Sequence, residues 1–244
     1  MNITVFYESH AKQKEGKALR FYPAGLQAEL ADALEKIDGA NIKIALQQDP
    51  ENGLSDAVLN DTDVLIWWGA DWQDCVLDDV ANRVYRRVQE GMGAIFLHAS
   101  AFSKPFKKLM GTDCSCKWRN NGERERVWCL MPTHPIAAGI PENFLLEQET
   151  MYGEPFEIPR PDETVFLSWF EGGEVLRSGL TFLRGKGKIF YFQPGSATSP
   201  TLLNPTVKQI IRNAVLWAQP AALTYTTGQV NKTPEQKKFG FFRR

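Results

Sequence analysis

The chain has three histidines, and two of them follow apolar runs at positions suited to chemistry. His98 comes directly after the apolar run 94–97, and His10 follows the run 3–6. The ordinary pKa of an imidazole lies near neutral pH, so either side chain could act as a general base or bind a metal ion. A hydrogen-bonded structural histidine is the alternative for His98. His134 stands in a Thr-His-Pro-Ile sequence and is predicted to be a structural turn residue.

Acidic residues form a second group of candidates. The segment 146–154 concentrates carboxylates without balancing bases and includes Glu149, Tyr152 and Glu154. Two carboxylates can act as a general acid and a general base when one of them is partly buried, because burial raises the pKa of that carboxyl. The pattern predicts Glu149 and Glu154 as catalytic groups and Tyr152 as a substrate contact, with solvated loop charges as the alternative.

The segment 169–174 sets aromatic faces beside acids. Trp169 and Glu171 are the pair that this pattern singles out. An aromatic ring next to a carboxylate suits stacking on a sugar ring and hydrogen bonding to its hydroxyls. Both residues are therefore predicted to bind substrate, although a hydrophobic strand end would show the same pattern.

The sequence lacks the motifs of nucleotide binding and of covalent catalysis. Neither G-x-G-x-x-G nor G-x-x-x-x-G-K-[ST] follows a predicted strand, which argues against nucleotide ligands. Ser100 and Ser103 follow a strand at the place of a nucleophile, but the local sequence is not G-x-S-x-G and no cysteine stands there. Covalent catalysis is poorly supported.

The first hundred residues alternate between strand-like and helix-like apolar periods. Strands are predicted at 3–6, 42–46, 64–68 and 94–97, and helices at 25–37, 54–59 and 74–90. The continuous apolar run 64–68 is typical of a parallel strand buried on both faces. This order predicts an α/β fold with a mostly parallel, doubly wound sheet.

The second half of the chain predicts further strands and a closing helix. A β excursion is predicted over 117–119 and 126–131 across a turn at 120–122, followed by strands at 165–170, 176–182 and 187–192. Asn204 as N-cap and Pro205 at the first position predict a helix that runs to Trp217. The domain is predicted to span 1–218. A basic tail, 219–244, is either solvated or a docking arm for a partner.

In an open α/β sheet, ligands bind beyond the carboxyl ends of the strands. The loops expected to meet in one crevice are 7–10, 69–74, 98–103 and 194–199. Substrate contacts predicted in or beside these loops are Glu8, His10, Trp68, Gly69 and Trp72.

Composition narrows the possible partners and the location. With 43% hydrophobic and 23% charged residues, the chain is globular, and a net charge of −1 offers no basic field for nucleic acid. No apolar window reaches about 18 residues, so no membrane span is expected. The start of the chain resembles a strand and not a signal peptide, and the four cysteines are expected to be reduced thiols. A cytoplasmic location is predicted.

Several blocks of the sequence resemble the ThuA-like (trehalose utilisation) family over about residues 2–218. The blocks lie at 61–69, 83–93, 97–104, 110–119, 134–136, 147–154, 168–179 and 184–192. The resemblance implies a three-layer α/β/α sandwich of the class I glutamine amidotransferase-like, flavodoxin-like kind, without the amidotransferase cysteine. It also implies a role in sugar catabolism, in the processing of disaccharides such as trehalose or of their keto forms.

The sequence departs from the family pattern at five positions that are typically histidine. Here they are Gln27, Ala70, Gln73, Ala101 and Ser196, and all but Gln27 map to the predicted crevice. Clustered imidazoles hold a divalent metal or transfer protons, and these replacements are not strong nitrogen ligands. A divalent metal remains a possibility only through a weaker mixed set, Glu8, His10, Asp74 and His98.

Two functions follow from this pattern. In the first, the chain is a sugar-processing enzyme with a remodelled site, His98 as acid or base, and no glutamine amidotransferase activity. In the second, it is a non-catalytic relative that binds a sugar or a partner through the same crevice. A homo-oligomer is also possible, and a weaker alternative is an interaction protein that docks through its tail.

Overall fold

The computed structural model describes residues 1–9 and 16–221, which form one mixed sheet flanked by helices. The strands are β1 (Asn2–Tyr7), β2 (Asn41–Leu46), β3 (Val64–Trp68), β4 (Gly93–Leu97), β5 (Lys117–Cys129), β6 (Asn143–Gly153), β7 (Glu163–Phe170), β8 (Val175–Arg184) and β9 (Gly187–Phe192). The helices are α1 (Gly16–Phe21), α2 (Leu26–Glu35), α3 (Asp56–Asn60), α4 (Asp78–Glu90), α5 (Lys104–Met110) and α6 (Pro205–Ala218). The predicted α/β class is confirmed.

The sheet changes from parallel to antiparallel pairing at β9. Strands β2, β1, β3, β4 and β9 are parallel neighbours in that order. From β9 the sheet continues antiparallel through β8, β7, β5 and β6. The predicted β excursion is therefore an extension of the same sheet, and β3 and β4 are buried along their whole length as expected for covered parallel strands.

Helices cover both faces of the sheet and bury two apolar cores. On one face Leu30 of α2 and Ile210 of α6 pack against strand residues such as Ile66. On the other face Val84 of α4 and Phe106 of α5 pack in a second cluster. This arrangement is the three-layer sandwich that the family resemblance implied.

The described helix ends have the capping residues that the sequence predicts, but α4 begins later than predicted. The Asn204 side chain accepts hydrogen bonds from the first-turn amides of α6, and Pro205 opens that helix, as predicted. Gly91, with φ of 130°, ends α4. The predicted start of α4 at residue 74 is wrong: Gln73–Cys75 form a separate 3₁₀ turn, and the α-helix begins at Asp78.

The predicted turn at 120–122 is wrong, because β5 runs unbroken from Lys117 to Cys129. Its pairing with β6 shifts register between Arg119 and Glu123, so the extra residues form a bulge. Gly122 has φ of 70°, a conformation that glycine adopts without strain, so the residues that signal a turn serve the bulge instead. The Arg119 guanidinium hydrogen-bonds both Glu123 and Glu174 and holds the bulge in place.

Strand β6 was not predicted. Its sequence places acids where an apolar alternation would be expected, so 146–154 was singled out for its carboxylates and not as a strand. Glu147 is exposed, whereas Glu149, two positions later, is buried and hydrogen-bonded, and the pairing with β5 shifts register in this part of the strand. The strand therefore has no regular alternation in burial or in hydrophobicity.

Some predictions lie outside the described residues. His10 and the tail beyond residue 221 belong to this part of the chain, so the docking arm and the domain boundary remain predictions. The four cysteines are free, in agreement with the prediction of reduced thiols.

A buried carboxyl stands inside the antiparallel half of the sheet. Glu125 of β5 is fully buried and accepts a hydrogen bond from the Ser168 hydroxyl of β7. Its second oxygen, Oε2, has no hydrogen-bond partner among the described residues. Burial raises the pKa of Glu125 well above its usual 4.5, and the nearby Glu149 carboxylate raises it further.

The raised pKa of Glu125 makes the stability of the fold depend on pH. Below about pH 4.5 the carboxyl is protonated in both the folded and the unfolded chain. Above that pH the unfolded chain releases the proton first, so stability falls by about 1.4 kcal/mol per pH unit until the folded pKa is reached. Glu125→Gln should remove this slope in urea denaturation between pH 5 and 8. The control Glu142→Gln, at an exposed carboxyl, should keep it, and identical slopes for Glu125→Gln and wild type would contradict the argument.

Candidate functional site

The candidate site is a cleft of about 250 Å³ at the carboxyl ends of β3, β4 and β9. The first residues of β5 and the last residues of β6 form another side of it. The lining residues are Ala18, Ala70, Asp71, His98, Ala99, Phe102, Trp118, Asn120, Thr150, Tyr152, Ser196, Ala197 and Thr198. Three of the predicted loops, 69–74, 98–103 and 194–199, therefore meet here.

His98 occupies the sharp turn where β4 ends. Its backbone is in the left-handed region, with φ of 56°, and the chain passes directly into a 3₁₀ turn, His98–Phe102. Non-glycine residues in this region are uncommon and concentrate at functional sites. The turn places the imidazole in the cleft while its side chain is only 5% exposed.

The hydrogen bond of His98 fixes which ring nitrogen carries the proton. Nδ1 lies 3.2 Å from the carbonyl oxygen of Gln193, which can only accept, so the neutral ring donates from Nδ1 and keeps the lone pair on Nε2. Burial lowers the pKa of His98 below its usual 6.5, although Glu149, Asp71 and the Gln193 carbonyl act in the opposite direction. The site thus holds a neutral imidazole suited to accept a proton.

Tyr152 lies against the His98 ring. The two rings stack with centroids 5.3 Å apart and an interplanar angle of 15°. The Phe102 ring also contacts the Tyr152 ring, in an edge-to-face arrangement with ring centroids 5.7 Å apart. Burial raises the pKa of Tyr152 well above 10, with Cys116, Glu149 and Asp71 adding to the rise, so its phenol stays protonated. A base and a protonated hydroxyl therefore lie side by side.

Asp71 is the one carboxylate among the described residues that line the cleft. The loop that carries it is held by Glu8, whose buried carboxylate accepts hydrogen bonds from the Ala70 and Asp71 amides at 2.7 and 3.0 Å. Glu8, predicted as a substrate contact, thus shapes the 69–74 loop from beneath.

Glu149 lies beneath the cleft wall and not in it. The side chain is fully buried, and its Oε2 accepts hydrogen bonds from the Gly195 amide at 3.0 Å and the Thr201 hydroxyl at 2.6 Å. The same oxygen accepts from the Ser196 amide at 3.3 Å, and Oε1 accepts from Thr150. These contacts favour a positioning role for Glu149, and its predicted catalytic role stays untested.

The aromatic residues near the third strand support the cleft from behind. Trp68 is fully buried and donates from Nε1 to the Gly195 carbonyl oxygen at 2.9 Å. At Gly69 an added Cβ would lie 2.8 Å from the Gln73 side-chain nitrogen, so a larger residue would displace the Gln73 side chain. Trp72 is 37% exposed and is not among the lining residues.

The structure does not bring Glu154, Trp169 and Glu171 into the cleft. Glu154 forms an ion pair with Arg177 at 2.7 Å; burial alone would raise its pKa, but hydrogen bonds from Arg177 and the Phe156 amide lower it overall. Trp169 and Glu171 line a separate groove with Arg124 on the solvent side of β5 and β7. Glu171 pairs there with Arg124 at 2.7 Å. Because neighbouring residues on a strand face opposite sides, the 169–174 segment could not be assigned to one side from sequence spacing.

The described residues do not fit a metal centre. Within 1–9 and 16–221, histidine, cysteine and acidic side chains form no group of three or more that could hold a metal ion. Of the mixed set proposed from the sequence, Glu8 binds backbone amides and His10 lies outside the described residues.

Asp71 and Trp118 are cleft residues that were not singled out from the sequence. Asp71 lies in a predicted loop, and its place after a buried strand was the available signal. Trp118 lines the cleft at the start of β5, opposite Tyr152 of β6. Since β6 was not predicted, nothing in the sequence indicated that this tryptophan would lie beside the site.

A family model described as ThuA, trehalose utilisation, matches residues 2–218, and the chain belongs to this family. A comparison with curated proteins finds no significant match. None of the helices in 16–221 is long and apolar enough to cross a membrane.

Solved structures share the fold at low sequence identity. A ThuA-like protein from Parabacteroides merdae ATCC 43184 is 12% identical, with a TM-score of 0.65, covering 93% of this chain and 92% of its own. A cytoplasmic protein from Salmonella typhimurium is 13% identical with a TM-score of 0.58, covering 90% of this chain and 99% of its own. PurLQS from Thermotoga maritima is 10% identical with a TM-score of 0.54, covering 88% and 97%. These likenesses confirm the expected fold class, which is glutamine amidotransferase-like.

Replacing Glu149 by glutamine tests its positioning role. The amide would turn an NH₂ group toward a backbone or hydroxyl donor, which leaves buried polar groups unpaired. The free energy of unfolding should fall by about 1–3 kcal/mol, and amide hydrogen exchange should rise in 195–201. Glu147→Gln, at an exposed carboxylate two residues away, should change stability by less than about 0.5 kcal/mol. Unchanged exchange in 195–201 for Glu149→Gln would refute the role.

Proposed function

We propose that the chain is a sugar-processing enzyme of the ThuA family, acting on a disaccharide such as trehalose or on a related keto sugar. The observation that carries the proposal is the neutral His98 imidazole stacked on the protonated Tyr152 in a cleft at the strand ends. The family match supports the substrate class. In an α/β sheet of this kind, the strand-end crevice is the usual ligand site.

The two groups suit a general acid–base step. The lone pair on His98 Nε2 can accept the proton from the carbon beside the keto group of a keto sugar, and the electron pair of that C–H bond then forms a C=C bond as the adjacent C–O bond to the leaving sugar breaks. The Tyr152 hydroxyl can donate its proton to the oxygen that leaves, so the substrate loses one proton and gains one. Asp71 adds a carboxylate that can accept hydrogen bonds from sugar hydroxyls.

A non-catalytic sugar-binding relative is the second candidate. The observation that favours it is the set of replacements in the cleft loops, where Ala70, Ala101 and Ser196 stand at positions that the family resemblance assigns to histidine. A cleft with one imidazole has fewer groups for proton transfer than one with several. Under this alternative, sugars bind but are not converted.

We also propose a cytoplasmic location. The similar structure from Salmonella typhimurium is described as a cytoplasmic protein, and the free cysteines suit a reducing compartment. Fractionation of cells that produce the full chain would test it.

Replacement of His98 separates the two candidates. His98→Asn removes the base but keeps a residue type that tolerates positive φ, so the turn should survive. A proton NMR time course with trehalose, its 3-keto form and related glucosides should show product with wild type and a loss of about 10²–10⁴-fold in rate with the variant. Glu171→Gln, which lies in the other groove, should keep the wild-type rate. Binding of these sugars without product in wild type would establish the non-catalytic alternative.

The pH dependence of turnover should report the His98 base. The active form is the neutral imidazole, and burial lowers its pKa below 6.5. The value of kcat/KM should therefore be flat around neutral pH and fall only as the pH drops through a value below 6.5. An acidic limb centred above pH 6.5 would mean that another group acts as the base.

A further inference from the structure

We propose that Trp118 is a platform for a second sugar ring at the mouth of the cleft, an inference that rests on the proposed function. As this platform, Trp118 would make the cleft bind two-ring glycosides more tightly than single sugars. The inference comes from the arrangement of the aromatic residues along the cleft.

The aromatic residues form a row that runs from the buried end of the cleft to solvent. His98 is 5% exposed, Tyr152 is 3% exposed and Trp118 is 63% exposed. Trp118 and Tyr152 are direct partners across β5 and β6, so their side chains lie on the same face with Cβ atoms about 4.5–5.5 Å apart. Because Tyr152 in turn stacks on His98, the row joins the buried imidazole to an exposed indole.

The strand holds Trp118 rigidly in this place. The next residue, Arg119, donates to Glu174 in the β7–β8 connection at 2.6 Å and to Glu123 on its own strand at 2.8 Å. Both contacts fix the backbone of β5 beside the cleft. A binding group on an anchored strand needs less ordering when a ligand arrives.

A polar wall faces this aromatic row. The Asn120 amide donates to the Thr198 hydroxyl at 3.4 Å, and the Ser196 and Thr198 hydroxyls lie 3.0 Å apart. A pyranose ring has an apolar C–H face and a rim of hydroxyls, so it matches a cleft with one aromatic and one polar side. A ring that reaches His98 leaves the Trp118 indole in water, and a second ring would cover it.

The other exposed tryptophan on the same strand supplies a matched control. Trp128 is 36% exposed and lies at the far end of β5, outside the residues that line the cleft. Trp118→Ala and Trp128→Ala therefore remove the same side chain from the same strand, one inside and one outside the proposed subsite.

The test is isothermal titration of the full chain and these variants with trehalose and with glucose. Trp118→Ala should weaken trehalose binding about tenfold and leave glucose binding unchanged. Trp118→Phe should restore most of the affinity for trehalose, because it keeps a ring face, and Trp128→Ala should match wild type for both sugars. Circular dichroism would show that each variant is folded.

The outcomes separate this inference from the function on which it rests. If wild type binds trehalose and Trp118→Ala binds it equally well, or loses both sugars to the same extent, Trp118 is not a second-ring platform and the sugar function stands. If wild type binds neither these sugars nor their 3-keto forms, the proposed function is wrong and the Trp118 subsite is wrong with it.

Discussion

One buried carboxylate joins the two halves of this sheet at the cleft. Glu149 lies on the antiparallel edge strand β6, and its oxygens receive hydrogen bonds from the segment that follows the parallel strand β9. A carboxylate without such donors would be costly in this interior. The requirement for donors therefore fixes the 195–201 segment against β6. Both sides of the cleft, the polar wall and the aromatic row, depend on that attachment.

Two of the five positions at which the family resemblance implies histidine, Gln73 and Ser196, carry side chains that hydrogen-bond to the protein itself. Gln73 donates from its side-chain amide to the Ala99 carbonyl oxygen at 3.2 Å. Ser196 accepts from the Thr198 amide at 3.2 Å and from the Thr150 hydroxyl at 3.1 Å. Gln73 thus connects the loops after β3 and β4, and Ser196 connects the segment after β9 to β6. At these two positions the side chain holds neighbouring parts of the cleft together.

The parallel half of the fold could be predicted because its sequence signals are local. Continuous apolar runs such as 64–68 and 94–97 mark strands buried on both faces, and Asn204 with Pro205 marks a helix start without reference to distant residues. Strand β6 could not be predicted in the same way. Glu149 looks like a surface charge until the donors supplied by residues 195–201, nearly fifty positions later, are known.

The same distinction explains how much of the site could be predicted. His98 and Tyr152 could be named as candidates, because a histidine after an apolar run and an aromatic among acids are visible in the sequence; both line the cleft, and their roles stay predictions. Trp118 was not singled out, because its place beside the cleft depends on pairing with β6. Trp169 lies in the groove that Arg124 and Glu171 also line, which only the register of β5 against β7 shows, and its predicted substrate contact stays untested.

The order of strands has a kinetic consequence. Strand β9 pairs with β8, which directly precedes it in the chain, and on its other side with β4, so the β4–β9 pairing joins distant segments such as Ala94 and Ile189. Contacts between distant segments are slow to form, because a long loop must close before they stabilise anything. The antiparallel pairings β7–β8 and β8–β9 join consecutive strands and are expected to form first. The cleft needs β4 and β9 side by side, so it is then among the last parts of the molecule to be assembled during folding.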